Sequence, residues 1–565
     1  MLNLMDHQLP AELSEAFGMQ LSGWQSNGFV AEIWAKKANV WTNEDESKWL
    51  GWLDIVDEEL GDLQKFLDLQ KDIQNSGFTD VLLMGMGGSS LCPEVLATTF
   101  GKKNFHVLDS TVPAQVKAIE DRLDLSKTLF IVASKSGSTL EPNCFKQYFF
   151  NRIAEQVGRE NAGKQFIAIT DPGSKMEQVA RADGFRHIFY GKPQIGGRFS
   201  ALSDFGMAAA ASMGLDVERF LKSAEEMVDA CRSTEATLNP GALLGLILGV
   251  GQTHGRDKLT IFTSPEIYDL GAWLEQLLAE STGKNDTAII PVDREPLLPV
   301  DVYNDDRLFA YIKLKGSNTL DPEMHDLEIA GHPVVRIEIN DIYDLGQEFF
   351  RWEFATAVAG SIMGINPFNQ PDVESAKVEA RKLTTEYEET GALPKEIPFY
   401  EEDGIKLFTG DAYAAELTET VESKSLASLI EAHLLNIHDH DYFALLAFIE
   451  MNQLHEDLLQ SIRKQVFESH AIATCLGFGP RFLHSTGQAY KGGGNNGVFL
   501  QITSDDAFDL PVPEQQFTFG IVKTAQARGD FQVLLDRGRR ALRVHLTSDV
   551  AGGLKRLQRV IGDHS

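Results

Sequence analysis

Five short apolar runs, each followed by a turn and then by helical spacing, constrain this chain more than any other feature. They are DVLLMG, NFHVLD, TLFIVAS, KQFIAIT and FRHIFY, spread between residues 80 and 190. Runs this short, rich in β-branched and aromatic residues, read as strands. Strands that alternate with helices require a parallel sheet covered by helices. A second series follows, KLTIFT, LFAYIKL and PVVRIEI, closed by a helix from about 344 to 364. A third comprises DYFALLAFIEM, AIATCLGFG, GVFLQITS and ALRVHLTS. The expected class is therefore α/β, with parallel sheets flanked by helices. The expected divisions are a helical segment 1–76, α/β units at 77–250 and 251–400, and a C-terminal α/β segment 401–565. A chain of 565 residues has room for three or four such units. Ser203–Gly251 reads as an alanine-rich helical bridge, and the acidic stretch from about 378 to 425 as a linker.

In open α/β sheets ligands bind beyond the carboxyl ends of the strands. Two turns there have unusual chemistry. Gly85-Met86-Gly87-Gly88-Ser89-Ser90 lies between a strand and a helix, where glycines let backbone N–H groups approach an anion. It is neither a GxGxxG fingerprint nor a P-loop. The second turn, VASKSGSTLEPN, places Ser134, Ser136, Ser138 and Thr139 around Gly137. Hydroxyls this dense need partners when buried. Local side-chain-to-backbone bonds are one way to meet that need. A phosphate, rich in acceptors, is the other.

Composition narrows the partners. A formal net charge of -31 argues against non-specific nucleic-acid binding and against adsorption to anionic membranes. Any anion must be held locally, by oriented N–H groups and a few chosen cations. The four cysteines, Cys92, Cys144, Cys231 and Cys475, are scattered with no CxxC pair, which disfavours a thiolate zinc site and suits a reducing compartment. MLNLMDHQLP has no signal-peptide pattern, and no apolar run reaches transmembrane length. A cytoplasmic location is expected. His438-Asp439-His440-Asp441 reads as a turn before a strand, and no metal is expected.

Three further strings bear on function: IGGRFSALSDFG (195–206), LLAESTGK (277–284) and NPFNQPDVESAK (366–377). SKSGSTLE resembles the phosphosugar-binding signature of sugar isomerase domains. The 195–206 and 366–377 strings resemble the two signatures of the glucose-6-phosphate isomerase family. ESTGK resembles that family's glutamate-bearing segment. The departures are Asp204, Thr282 and Asp372, where the family has other residues. The tail, with GPRFLHSTGQAYKGG and ARGDFQVLLDRGRRALRVHL, resembles the isomerase half of bifunctional transaldolase/phosphoglucose isomerases, and no transaldolase portion precedes it.

The resemblance implies tandem sugar isomerase (SIS) domains and reversible isomerisation of glucose 6-phosphate and fructose 6-phosphate through a cis-enediolate, in glycolysis and gluconeogenesis. It implies no cofactor and no metal, a homodimer, and a functional link to transaldolase. Carried onto this chain, it makes Glu280 the base, Arg198 the oxyanion partner and Lys377 a ring-opening group. Phosphate and sugar would be bound by Gly87, Gly88, Ser89, Ser134, Lys135 (through its backbone), Ser136, Thr139, Gly197 and Gln370. The family's ring-opening histidine has no counterpart soon after Glu280. The STGQ in HSTGQAYKGG resembles the family's stretch and nominates His484, with His325 and His332 as lesser candidates. Two alternatives remain open: a phosphoglucose/phosphomannose isomerase, and a non-catalytic phosphosugar-binding regulator.

Overall fold

The structure is a computed structural model and describes residues 1–562. Of the C-terminal segment expected at 401–565, residues 563–565 lie outside the described residues. The chain opens with β1 (Leu4–Gln8), and the other fifteen strands fall into three sheets with it. The first sheet holds β2 (Asp80–Met84), β3 (Phe105–Leu108), β4 (Thr128–Ala133), β5 (Phe166–Thr170) and β6 (His187–Tyr190) in the order β3-β2-β4-β5-β6. All its pairings are parallel. The second contains β7 (Lys258–Thr263), β8 (Ile290–Asp293), β9 (Arg307–Leu314) and β10 (Val334–Ile339), with β1 added antiparallel along β10. The third joins β11 (Tyr400–Glu402), β12 (Ile405–Phe408), β13 (Tyr442–Phe448), β14 (Ala473–Phe478), β15 (Gly497–Ser504) and β16 (Arg540–Leu546) in the order β11-β12-β16-β15-β13-β14. Its last four strands are parallel to one another.

The sequence pattern explains why the sheets are covered on both faces. Every residue of β4, β5, β13 and β15 is buried, as continuous apolar runs require. One core runs through the first two sheets and the N-terminal helices. In it Trp52 packs against Phe199, Phe350 and Phe354, tying residues 1–76 to the Arg198 turn and to the Leu345–Ile362 helix. Among the described residues no helix is long and apolar enough to cross a membrane.

Two expectations about organisation are corrected. Residues 1–76 are not purely helical, because β1 extends the second sheet. Asn3 anchors it, its N–H donating to Gln347 Oε1 (2.8 Å) and its Nδ2 to Glu348 Oε1 (2.9 Å). Five residues at a sheet edge leave no long periodic run to detect. The stretch from 378 to 425 is not a linker either. It starts within a helix, Pro371–Thr390, and continues through the β11–β12 hairpin and the Asp411–Thr420 helix. Proline at the first helical turn and Gly391 in left-handed conformation at the end bracket the first helix. The acidic residues that suggested a linker lie on its exposed face. Its other face packs against the Phe519–Asp536 helix of the C-terminal segment.

Candidate active site

The turns after β2, β4 and β6, the helix after β7 and the turn after β14 converge. The Gly85–Ser90 turn lies directly on the Arg198 turn: a Cβ added to Gly88 would stand 1.9 Å from the Gly197 carbonyl oxygen. Only glycine permits that approach. Ser89 sits beside it in the short Gly87–Ser89 turn that leads into the Leu91–Thr99 helix.

Arg198 is buried and makes four hydrogen bonds. Its Nε donates to Ser281 Oγ (2.7 Å), Nη1 to Gln370 Oε1 (2.7 Å), and Nη2 to the carbonyls of Pro367 (2.7 Å) and Asn369 (3.0 Å). Nη1 also lies 3.5 Å from Glu280 Oε1. The fork thus joins three of the strings singled out in the sequence, 195–206, 277–284 and 366–377. Glu280 is near the end of the Leu270–Thr282 helix, where Gly283 N–H closes the last turn on Ala279 O (3.0 Å). One turn earlier, Gln276 Nε2 donates to Glu280 Oε2 (3.0 Å) and to the His484 carbonyl (2.8 Å). Lys284 is buried beside them and donates to Asn366 O (2.6 Å). Burial, reinforced by the Arg198 charge, pushes its ammonium well below its ordinary value.

The hydroxyl-rich turn after β4 leads into the Leu140–Val157 helix. Gly137 has φ of +68°, and a Cβ there would meet the Met176 backbone nitrogen at 2.1 Å. Ser136 and Ser138 hydroxyls lie 2.8 Å apart. The Ser134 hydroxyl is buried and has no protein partner among the described residues. Lys135 points elsewhere: its ammonium pairs with Asp171 and donates to Lys192 O (2.8 Å), which leaves only its backbone for a ligand.

This turn forms one wall of a cavity of about 290 Å³. Its lining includes Ser136, Ser138, Thr139 and Glu141 from this turn and helix, Lys377 and Arg381 from the Pro371–Thr390 helix, and His484 and Gln526. His484 Nε2 is 2.8 Å from Glu141 Oε1, and Gln526 Nε2 donates to the same oxygen (2.6 Å). Burial would raise the Glu141 carboxyl. The His484 ring and the Lys377 charge outweigh it and hold the carboxyl below its ordinary value. Lys377 pairs with Glu374 (2.9 Å).

The structure therefore brings Ser136, Thr139, Lys377 and His484 to one cavity, and gathers Gly88, Gly197, Arg198, Gln370 and Glu280 in an adjoining cluster. Gln276 bridges the two. Ser134 and the Lys135 side chain do not line the cavity. His325 is exposed on the Asp321–Ile329 helix, paired with Glu328, and His332 packs on Tyr303 and Phe309, so neither lesser candidate lies at the site. The 438–441 stretch is a turn before β13, and no group of three or more possible metal ligands occurs among the described residues.

Sequence reasoning missed Glu141, Gln276, Ser281 and Gln526. Glu141 closes the SKSGSTLE string, and Gln276 sits four residues before Glu280 on the same helical face. Those signals were available. Gln526 carried none. The departures have local partners. Asp372 accepts from Gln488 Nε2 (2.7 Å) and pairs with Arg537, Thr282 Oγ1 accepts from Ile289 N–H (2.9 Å), and Asp204 pairs with Lys65 (3.0 Å).

Residues 69–291 match the phosphoglucose isomerase family, a stretch that includes the glycine turn, the hydroxyl turn, Arg198 and Glu280. The chain is 27% identical over 377 residues to a protein of Methanococcus maripaludis named probable glucose-6-phosphate isomerase, covering 59% of this chain and 84% of that one. It is 33% identical over 276 residues to a glucose-6-phosphate isomerase of Trichormus variabilis, covering 43% of this chain and 51% of the relative. A crystal structure of a hypothetical protein from Thermus thermophilus shares the fold, with a TM-score of 0.57 at 24% identity over 67% of this chain and 99% of that one.

Proposed function

We propose that this chain interconverts glucose 6-phosphate and fructose 6-phosphate, with the 290 Å³ cavity and the adjoining Arg198 cluster as one active site. The observation that carries the reading is the buried Arg198–Glu280 pair, 3.5 Å apart, next to a hydroxyl-lined pocket. Binding alone needs no such base.

In this reading the phosphate sits on the backbone and hydroxyls of Ser136–Thr139, with Ser89 nearby, and fixes C1 and C2 relative to Glu280. His484, held through Nε2 by Glu141, gives a proton to the ring oxygen and recovers the one that the C1 hydroxyl releases, with Lys377 assisting. Glu280 then takes the proton from C2 of the open aldose. The C–H electron pair becomes the C1–C2 double bond, and the carbonyl oxygen O1 becomes an oxyanion facing Arg198, whose guanidinium stays charged. Return of the proton to C1, with the O2 proton passed to O1, gives the ketose. Glu280, Arg198, Lys377 and His484 are the proposed catalytic residues. Gly87, Gly88, Gly197 and Gln370 shape and orient the site. A homodimer, a cytoplasmic setting and a functional link to transaldolase accompany the reading, on the strength of the family resemblance.

The test is fructose 6-phosphate incubated with the protein in deuterated water. The expected product is glucose 6-phosphate carrying deuterium at C2, seen by proton NMR. Absence of any glucose 6-phosphate would overturn the proposal.

A further inference from the structure

A second cavity, of about 510 Å³, lies beyond the carboxyl end of β15 in the third sheet. That is where open α/β sheets bind ligands. Its charge runs against that of the molecule. In a chain of net charge -31, five basic side chains face three carboxylates here.

The carboxylates are not equivalent. Asp506 pairs with the buried Lys523 (2.6 Å), and Asp505 lies 3.1 Å from His545 Nε2. The third, Glu396, is different. Its Oε2 alone takes both Arg528 Nε and Arg543 Nη2, each at 2.7 Å. Arg543 is buried and stacks on Phe408, 4.4 Å from the ring centre, which fixes its plane. One acceptor oxygen between two guanidinium groups is the position a phosphate oxygen takes in an arginine-lined anion site. Glu396 comes from the irregular stretch 391–399, and its side chain is 32% exposed. It can withdraw without breaking a helix or strand. Lys395 and Lys406 also line the cavity and have no carboxylate within ion-pair distance among the described residues. Thr503, at the end of β15, adds a hydroxyl.

We propose that this cavity is a second anion site, separate from the sugar-phosphate pocket, that takes a small phosphorylated metabolite whose phosphate replaces the Glu396 carboxylate between Arg528 and Arg543. Glu396 then serves as an internal counter-ion that keeps the two guanidinium groups paired when the site is empty.

The test is calorimetric titration of the full chain with inorganic pyrophosphate. Wild type is expected to bind at two sites. Ser136→Asp, which places a negative charge in the sugar-phosphate pocket, is expected to leave one. On that background Glu396→Gln removes the competing carboxylate and tightens binding by about tenfold, whereas Arg528→Gln with Lys406→Gln weakens it by at least about tenfold. A gain of affinity cannot arise from misfolding, so the Glu396 variant guards the result. Loss of all binding in Ser136→Asp, or equal affinity across the three proteins, would overturn the proposal.

Discussion

Arg198 Nη1 stands 3.5 Å from Glu280 Oε1, and both side chains are more than nine-tenths buried. The arginine is held by four hydrogen bonds to two other segments of the chain, so the pair cannot drift apart without disturbing 281 and 367–370. Burial alone would favour an uncharged guanidinium, and Glu280 opposes that. Glu280 thereby helps to keep the guanidinium in the charged form that an oxyanion partner requires.

Arg198→Lys keeps one positive charge but loses the planar fork. Its several acceptors cannot all be reached by one ammonium. The expected outcome is a fall in kcat/KM of about 10²–10³ with a lowered melting temperature. Steady-state kinetics and a thermal melt check both.

His484→Ala removes the proposed proton donor to the ring oxygen. A general acid contributes about 10²–10⁴ in rate, so a loss in that range is expected on the closed-ring substrate. Full activity in His484→Ala would remove the residue from the mechanism.

Glu141 adds a stability signature. Its carboxyl is held below its ordinary value in the folded protein, so it binds fewer protons folded than unfolded as pH falls toward its folded pKa. The stabilisation it supplies is present above the unfolded value and is lost as pH falls through the folded one. The melting-temperature gap between wild type and Glu141→Gln should therefore be widest near neutrality and narrow as the pH drops below about 4.

Glu59 behaves in the opposite sense. Burial, with Asp204 adding to it, raises its carboxyl to about 8 despite Lys65 at 2.5 Å. A raised carboxyl destabilises the fold progressively as pH rises from the ordinary value of 4.5 toward 8. Glu59→Gln should match wild type in stability near pH 4 and exceed it near pH 8, by differential scanning calorimetry at the two pH values. A variant less stable than wild type at pH 8 would show that the Lys65 pair outweighs the burial.

Gly137→Ala tests the hydroxyl turn. A methyl there meets the Met176 nitrogen at 2.1 Å in a backbone region that disfavours side chains. A raised KM for the sugar phosphate and a stability loss of more than about 1 kcal/mol are expected.

The α/β class was legible because continuous apolar runs such as TLFIVA and YFALLAF have few other ways to be buried. β1, β8 and the β11–β12 hairpin were not, since LMDHQ, YEE and IKLF mix charged or polar residues into short runs and IPVD carries a proline. The acidic run in the Pro371–Thr390 helix masked it, because the exposed face of a docked helix has the composition of a linker. Within the site, the sequence exposes residues that lie in contiguous strings, such as Arg198 and Glu280. It does not expose partners brought in from afar, such as Gln526, which meets Glu141 across 385 positions.

The most direct measurement is turnover of fructose 6-phosphate to glucose 6-phosphate, coupled to glucose-6-phosphate dehydrogenase, for wild type and Glu280→Gln. An active wild type and a folded variant slower by at least about 10³ are expected. Equal rates would contradict this and move the base elsewhere in the molecule. A wild type that binds the sugar phosphate without turning it over would contradict the isomerase itself.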